Sequence, residues 1–167
     1  MLPDSFLDWW FAPWTYAAGA RRRRLPLAAD QLGQRDGYRL WCEQANVQVA
    51  FPDDFDPAWH VAAVQNANEL MNAAKLFAGL IAAREHNQAM LDQLAIPERR
   101  WCMSVAITQP LKGCQTVPFT DTDSIEIRGL VELVRRVESG FPGMWTRLRL
   151  LLPKTLAARV GALLPAA

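Results

Sequence analysis

Histidine, cysteine and serine are the residue types of this chain that could carry metal or nucleophilic chemistry. His60 and His86 are 26 positions apart, and neither has a second ligand at the i+3 or i+4 spacing of a helical zinc site. The serines stand at Ser5, Ser104, Ser124 and Ser139, outside any G-x-S-x-G turn. We therefore expect no metal site, no cofactor and no catalytic nucleophile.

The remaining chemistry-bearing patterns point the same way. Asp53, Asp54 and Asp56 form an acidic cluster, but the EF-hand spacing and its closing glutamate are missing, so helix capping and loop solvation explain it. The sequence has no glycine-rich phosphate loop. We predict that the protein is not an enzyme and has no small-molecule substrate. A small enzyme without a sequence signature is a weaker alternative.

The three cysteines are widely spaced and form no C-x-x-C pair. They are Cys42, Cys102 and Cys114. An odd number without pairing motifs indicates a reducing compartment. Cys42 and Cys102 each follow a tryptophan, so we expect these thiols to act as small buried apolar groups.

The composition predicts a globular domain with its own core. Of 167 residues, 51% are apolar and 21% charged, which excludes global disorder. The net charge of +1 gives no broad positive field, so we do not expect nucleic acid as a partner.

The N-terminal segment combines aromatic residues with a run of arginines. Trp9, Trp10 and Trp14 precede Arg21, Arg22, Arg23 and Arg24. Successive helical residues differ in direction by about 100°, so one helix cannot bury Trp9 and Trp10 on the same side. Either one of them faces a partner or a second cluster, or the helix is wedged into the core on both sides. We predict that these seven residues bind protein partners.

The arginine run also permits a membrane hypothesis. In a signal peptide the positive charge precedes the apolar run, whereas here the arginines follow it, and Pro3, Pro13 and Gly19 interrupt any spanning helix. We expect a cytoplasmic protein. As an alternative, the aromatic residues and Arg21–Arg24 lie on anionic lipid. A solvated helix end is the simplest role for the arginines.

Hydrophobic periodicity predicts an all-α fold. We expect a single irregular helical domain, 1–167, with about six to eight helices and one minor hairpin near 108–119. Segment 1–26 would pack on, or extend from, 36–164. Helices are predicted over 3–11, 14–24, 36–45, 97–109, 141–152 and 154–164, and in a further segment capped by Asp121 or Asp123 and ending at Gly140.

The clearest helix signal begins at Asp56-Pro57, a carboxylate cap followed by proline at the first helical position. An apolar stripe then runs from Trp59 through Leu70, Ala74 and Phe77 to Ile81. We expect one helix from this start. Helical spacing continues after Arg84, and the sequence allows the helix either to break near that residue or to continue.

Two stretches resemble a known family. They are GLVELVRRVESGFPGMWTRLRLLLPKTLA (129–157), which contains Trp145, Arg147, Leu148, Leu150 and Pro153, and LFAGLIAAREHNQAMLDQLAIPERRW (76–101). Their order and residue pattern are similar to the SctK family (YscK, OrgA and MxiK proteins), the cytosolic sorting-platform accessory proteins of type III secretion systems that serve bacterial virulence.

The resemblance implies a non-enzymatic adaptor at the cytoplasmic face of the bacterial inner membrane. Such a protein links the forkhead-associated-like cytoplasmic domain of the inner-membrane ring (SctD) to the pod protein (SctQ). Its membrane contact would be indirect or peripheral.

Overall fold

The computed structural model describes residues 1–19, 31–109, 111 and 119–164, and these residues are all-α without a strand. The helices are α1 (Asp4–Phe11), α2 (Gln31–Ala45), α3 (Ala67–Arg84), α4 (Gln88–Leu91), α5 (Ile96–Thr108), α6 (Ile125–Gly140), α7 (Met144–Leu148) and α8 (Lys154–Leu163). Short 3₁₀ segments lie at Pro13–Thr15, Pro57–Ala62 and Arg149–Leu151. The predicted all-α class is confirmed. Most of the expected hairpin near 108–119 lies outside the described residues.

The chain forms two compact units. Unit 1 consists of Met1–Ala67 and Val137–Ala157, and unit 2 of Asn68–Arg136 and Ala158–Ala167. The single domain 1–167 therefore stays a prediction. No helix in the described part of the chain is both long and apolar enough to cross a bilayer.

The segment around Trp14 differs from its prediction. A helix was expected over 14–24, but Trp14 belongs to the 3₁₀ turn Pro13–Thr15, and Ala17 and Ala18 are not helical. Ala18 N instead donates to Leu150 O at 2.8 Å within unit 1, so its amide is used in a tertiary contact. The remaining positions of this prediction, 20–24, lie outside the described residues.

The long helix predicted from Asp56 is two elements. The cap is confirmed, because Asp56 Oδ1 accepts from Ala58 N at 2.9 Å. However, this first element is the 3₁₀ segment Pro57–Ala62, and α3 starts only at Ala67. Between them the chain turns sharply, and Val64 O accepts from the Trp9 indole Nε1 at 3.0 Å. A continuous helix would commit that carbonyl to its own ladder, so the break allows the indole to be satisfied.

The apolar stripe of α3 is only partly the predicted one. Leu70 and Ala74 are buried as expected, and the stripe continues through Ala78 and Ala82. Phe77 is half-buried, with the Arg136 guanidinium 5.6 Å from its ring centroid. Burial therefore follows an i, i+4 line, and small residues dominate it.

That row of small side chains allows close helix packing in unit 2. A Cβ added to Gly129 of α6 would lie 1.7 Å from Ala74 O of α3. A Cβ on Gly79 of α3 would lie 2.6 Å from the Cys102 Sγ of α5. Only glycine permits these approaches, so both positions bring the helix backbones together.

α3 ends at Arg84, so the helix breaks near the residue where the sequence allowed a break. His86 adopts a left-handed φ of 55°, and the Asn87 side chain accepts from Met90 N to start α4. Helical spacing beyond Arg84 therefore belongs to a separate short helix.

The cap of α6 also differs from its prediction. The Ser124 hydroxyl, rather than Asp121 or Asp123, accepts from Ile127 N. Asp123 is buried, where its Oδ1 accepts from Arg159 Nε of α8 at 2.8 Å. The Arg159 guanidinium lowers the pKa of that carboxyl, and the Thr120 amide acts in the same direction.

Leu70→Ala tests the α3 interior. Leu70 is 2% exposed, so we expect the substitution to lower the free energy of unfolding by about 2–5 kcal/mol. Leu40→Ala is the matched control, because the same atoms are lost from a half-exposed site and the cost should stay below about 1 kcal/mol. Urea denaturation of both variants measures the difference. Equal losses would contradict the assigned interior.

Candidate functional site

Three of the four aromatic residues of α1, Phe6, Trp9 and Trp10, lie in the interior of unit 1, whereas Phe11 is exposed. The exposed fractions of Trp9 and Trp10 are 2% and 0%. They belong to a group that we call the aromatic core, whose members are Phe6, Trp9, Trp10, Tyr16, Phe51, Phe55 and Phe141.

Trp9 and Trp10 are covered on different sides of α1. The Trp9 indole stacks on Tyr16, with ring centroids 4.8 Å apart and an angle of 9° between the planes. Trp10 contacts Phe51 at 5.0 Å and Phe141 at 5.3 Å. Of the two alternatives, the geometry is that of a helix wedged into the core on both sides. Trp9 and Trp10 are therefore interior residues, and a partner would have to open unit 1 to reach them.

The other predicted site residues have different outcomes. Trp14 is half-buried, with its ring centroid 6.0 Å from that of Trp41 and 6.5 Å from that of Tyr38. Its predicted partner contact stays a prediction. Arg21–Arg24 lie outside the described residues.

The turn from α6 into α7 positions the charged centre of the aromatic core. Gly143 adopts φ 91°, a conformation that favours glycine. The Glu138 carboxylate accepts from Gly143 N at 2.7 Å and from Trp145 N at 2.8 Å. These bonds satisfy amides at the start of α7 and direct Arg147, one turn later, into the interior of unit 1.

Arg147 is a fully buried cation, with 0% exposure. Its Cζ lies 3.5 Å from the Trp10 ring centroid, its Nε donates to Trp10 O at 3.1 Å, and its Nη2 donates to Tyr38 Oη at 2.8 Å. Among the described residues no carboxylate forms an ion pair with it. An aromatic ring face and two oxygen acceptors therefore take the place of a counter-ion.

Burial shifts the titration of the groups around Arg147. It raises the pKa of Tyr38 to about 12 and that of Tyr16 further, while the nearby guanidinium opposes both shifts. Burial also raises the pKa of the Cys42 thiol and lowers that of Arg147. The thiol and both phenols thus keep their protons at neutral pH, and none of them is an activated nucleophile.

The candidate metal and thiol residues are also accounted for. Within 1–19, 31–109, 111 and 119–164, no group of three or more His, Cys, Asp or Glu side chains could hold a metal ion. His60 Nδ1 lies 2.9 Å from Pro57 O, and Asp56 serves as the helix cap. Cys42 and Cys102 are buried free thiols, as the sequence predicted, whereas Cys114 lies outside the described residues.

A second candidate site, in unit 2, was missed by the sequence reasoning. α5 exposes large apolar side chains: Ile107 is 86% exposed, Ile96 62% and Met103 50%, and Trp101 is also exposed. With 3.6 residues per turn, Ile96, Met103 and Ile107 align within about 40° of one another. Arg100 lies beside this row and Trp101 beyond it. We call these five residues the α5 face.

The inner side of α5 is held firmly. The Cys102 Sγ donates to Leu76 O at 3.4 Å, and Arg84 Nη1 donates to Ala106 O at 2.8 Å near the end of the helix. At its start, the Glu98 carboxylate lies 3.0 Å from Lys75 Nζ and accepts from Ala95 N. Because these contacts fix the rotation of α5 within unit 2, the α5 face stays in solvent.

Sequence periodicity gave no sign of the α5 face. The helix start at Pro97-Glu98 was found, but apolar residues occur on both sides of α5, and the inner side uses only Cys102 and Ala106. An amphipathic pattern places the large apolar residues on the inner side, whereas in α5 Ile96, Trp101, Met103 and Ile107 lie away from it. The signal in the sequence was that large apolar residues occupy positions where a surface helix carries polar ones. These residues are Ile96, Trp101, Met103 and Ile107.

Replacing Arg147 tests how its charge is accommodated. Lysine keeps the charge but lacks the planar fork that lies on Trp10 and reaches two acceptors, so Arg147→Lys should lower the free energy of unfolding by about 2–4 kcal/mol. Arg147→Met removes the buried charge and fills similar volume, so it should cost less. Urea denaturation at neutral pH ranks the variants. A lysine variant at least as stable as the methionine variant would contradict this role.

The chain has only two tyrosines, Tyr16 and Tyr38, so tyrosinate absorbance reports on this cluster alone. The folded state holds both phenolic protons more tightly than the unfolded chain. Stability should therefore be fully present below pH 10.0, the ordinary tyrosine pKa, and fall as the pH rises towards about 12. Absorbance titration should show no ionisation near pH 10 in the folded protein. In the Tyr38→Phe variant only Tyr16 can ionise, and its ionisation should occur at a higher pH than that of Tyr38. Ionisation near pH 10 in the folded wild type would contradict this prediction.

Comparisons with known proteins add no family to this geometry. No protein-family model, no curated protein and no solved structure matches the chain. The two candidate sites are the cationic aromatic core buried in unit 1 and the exposed apolar helix in unit 2.

Proposed function

We propose that this chain is a non-enzymatic protein-binding adaptor that contacts a partner through the α5 face. The supporting observation is the exposure of Ile96, Met103 and Ile107 on one rigidly held helix. Clustered apolar groups in water are unfavourable by roughly 25 cal/mol per Å², and a partner that covers them recovers that free energy.

The identity of the partners is proposed from the family resemblance. We propose a sorting platform of a type III secretion system, at the cytoplasmic face of the bacterial inner membrane, with the ring domain and the pod protein as partners. The stretch 76–101 that resembles the SctK family includes the first six residues of α5. The supporting argument is thus a residue pattern that overlaps the proposed interface.

The second stretch, 129–157, has a different role in this proposal. Its residues Arg147, Leu148 and Leu150 are buried, as are Leu130 and Val134 earlier in the stretch. Buried residues shape the protein interior and cannot touch a partner without unfolding. We therefore assign this pattern to the packing of α6 and α7, and partner contact to α5.

The burial of two tryptophans weakens the membrane alternative. It required aromatic residues that lie in the lipid headgroup region beside Arg21–Arg24, but Trp9 and Trp10 belong to the aromatic core. Flotation with anionic liposomes tests what remains of it. Binding that is lost when the four arginines become alanine would favour that alternative.

Affinity purification from a bacterium that assembles a type III secretion system tests the proposed function. We expect the wild-type chain to recover the ring or the pod protein. Ile107→Ser should reduce recovery severalfold, because anchor residues of an interface contribute more than about 1 kcal/mol each. Val61→Ser is the matched control, since Val61 is an exposed aliphatic residue of unit 1.

The outcomes of the purification distinguish the secretion role from the use of the α5 face. Recovery of neither protein by the wild type would contradict the secretion role. Recovery that Ile107→Ser leaves unchanged would contradict the use of the α5 face. A thermal melt of each variant confirms that unit 2 remains folded.

A further inference from the structure

The α5 face carries one charge among its apolar groups. Arg100 is exposed, and its guanidinium makes no ion pair or hydrogen bond with the described residues. Ile96, Met103 and Ile107 line one side of it and Trp101 the other. The face therefore carries a single cation beside its row of apolar groups.

Nearby carboxylates are already engaged by other cations. Asp92 lies 3.1 Å from Arg99 Nη1, and Glu98 lies 3.0 Å from Lys75 Nζ. Hydrogen bonds from Lys75 and Ala95 lower the pKa of Glu98, so this carboxylate stays ionised and paired. The positive charge of Arg100 is left without an internal acid, which favours an acidic group on whatever covers the face.

The backbone of α5 restricts the form of the partner. Away from the two ends of α5, its amides and carbonyls are used inside the helix, so an extended peptide finds no strand edge to pair with there. The row from Ile96 to Ile107 spans eleven steps of about 1.5 Å each, close to three helical turns. An amphipathic helix with anchors at i, i+3 or i+4, i+7 and i+11 matches that length.

A second copy of the chain fits the face poorly. A two-fold axis at the middle of the row, between Trp101 and Cys102, would pair α5 with itself in antiparallel order. Arg100 lies about 1.5 residues from that centre, so the two copies would place their guanidinium groups close together. Like charges in that position oppose self-association.

We propose that the α5 face binds an amphipathic helix whose apolar residues cover Ile96, Met103 and Ile107 and whose acidic side chain pairs with Arg100. This inference rests on the proposed function, because it takes the α5 face to be the partner site. It adds the chemistry of the partner, an acidic apolar helix of about three turns.

Two synthetic helical peptides test the proposal against the full chain. Both carry leucine at alternating three- and four-residue spacing, and their central polar residue is glutamate in one and lysine in the other. We expect the glutamate peptide to bind about tenfold more tightly, the ratio of a 1.4 kcal/mol preference. Isothermal titration gives the affinities, and amide chemical-shift changes locate the binding on α5.

Charge reversal supplies the decisive variant. Arg100→Glu should reverse the preference, so that the lysine peptide binds more tightly. Arg39→Glu, an equal change of charge at an exposed position of unit 1, should leave the preference intact. The preference of the wild type should also weaken with added salt.

Three results of the peptide experiment would overturn the inference. These are binding of neither peptide, equal affinity of the two peptides for the wild type, and a preference that survives Arg100→Glu. Concentration-dependent dimerisation that Ile107→Ser abolishes would also overturn it, in favour of a second copy.

Failure of this inference differs from failure of the proposed function. If the ring or pod protein is captured through Ile107 while Arg100→Glu has no effect on the peptides, only the partner chemistry is wrong. If the peptides discriminate by charge but neither secretion protein is captured, the partner chemistry stands and the secretion role falls.

Discussion

The structure of unit 1 depends on the accommodation of one buried cation, Arg147. A guanidinium removed from water without a carboxylate is costly, and here Trp10 supplies both a ring face and a carbonyl while Tyr38 supplies a hydroxyl. These contacts tie α1 and α2 to α7. Among the residues that the structure describes, Nη1 of Arg147 has no hydrogen-bond partner, so the face of the Trp10 ring stabilises a cation whose hydrogen bonds are satisfied only in part. The aromatic N-terminus is thus part of the interior of unit 1, where Trp9 and Trp10 are buried.

Local signals in the sequence predicted most of the elements. Asp56-Pro57 marked a real start, Pro97-Glu98 marked α5, and Ser139-Gly140 marked the end of α6. Tertiary demands overrode local ones where the prediction was wrong. The chain breaks at Val64 because the Trp9 indole takes its carbonyl, and Ser124 caps α6 because Asp123 pairs with Arg159. Such partners are 36 and 55 positions apart in sequence, so periodicity cannot reveal them.

The candidate site was predicted less well than the fold, for a physical reason. Arginine in a sequence reads as a surface residue, so nothing marked Arg147 as buried. Tryptophan fits an interface anchor and a core residue equally well, and only coordinates distinguish them. α5 is the reverse case: its isoleucines and methionine suggest core, yet Gly79 and Cys102 allow so close a contact that the outer apolar groups are left in solvent. An exposed apolar surface is unfavourable in water, and it therefore indicates that a binding partner covers it.

We propose that this protein acts by holding another protein at the α5 face. Site-specific photo-crosslinking in the producing cell tests it most directly, with a photoreactive amino acid placed at position 107 in one strain and at position 61 in another. Both positions are exposed aliphatic sites, Ile107 in unit 2 and Val61 in unit 1. We expect a discrete crosslinked product with one protein from position 107 and none from position 61. Absence of a product at 107, or the same product from both positions, would contradict it.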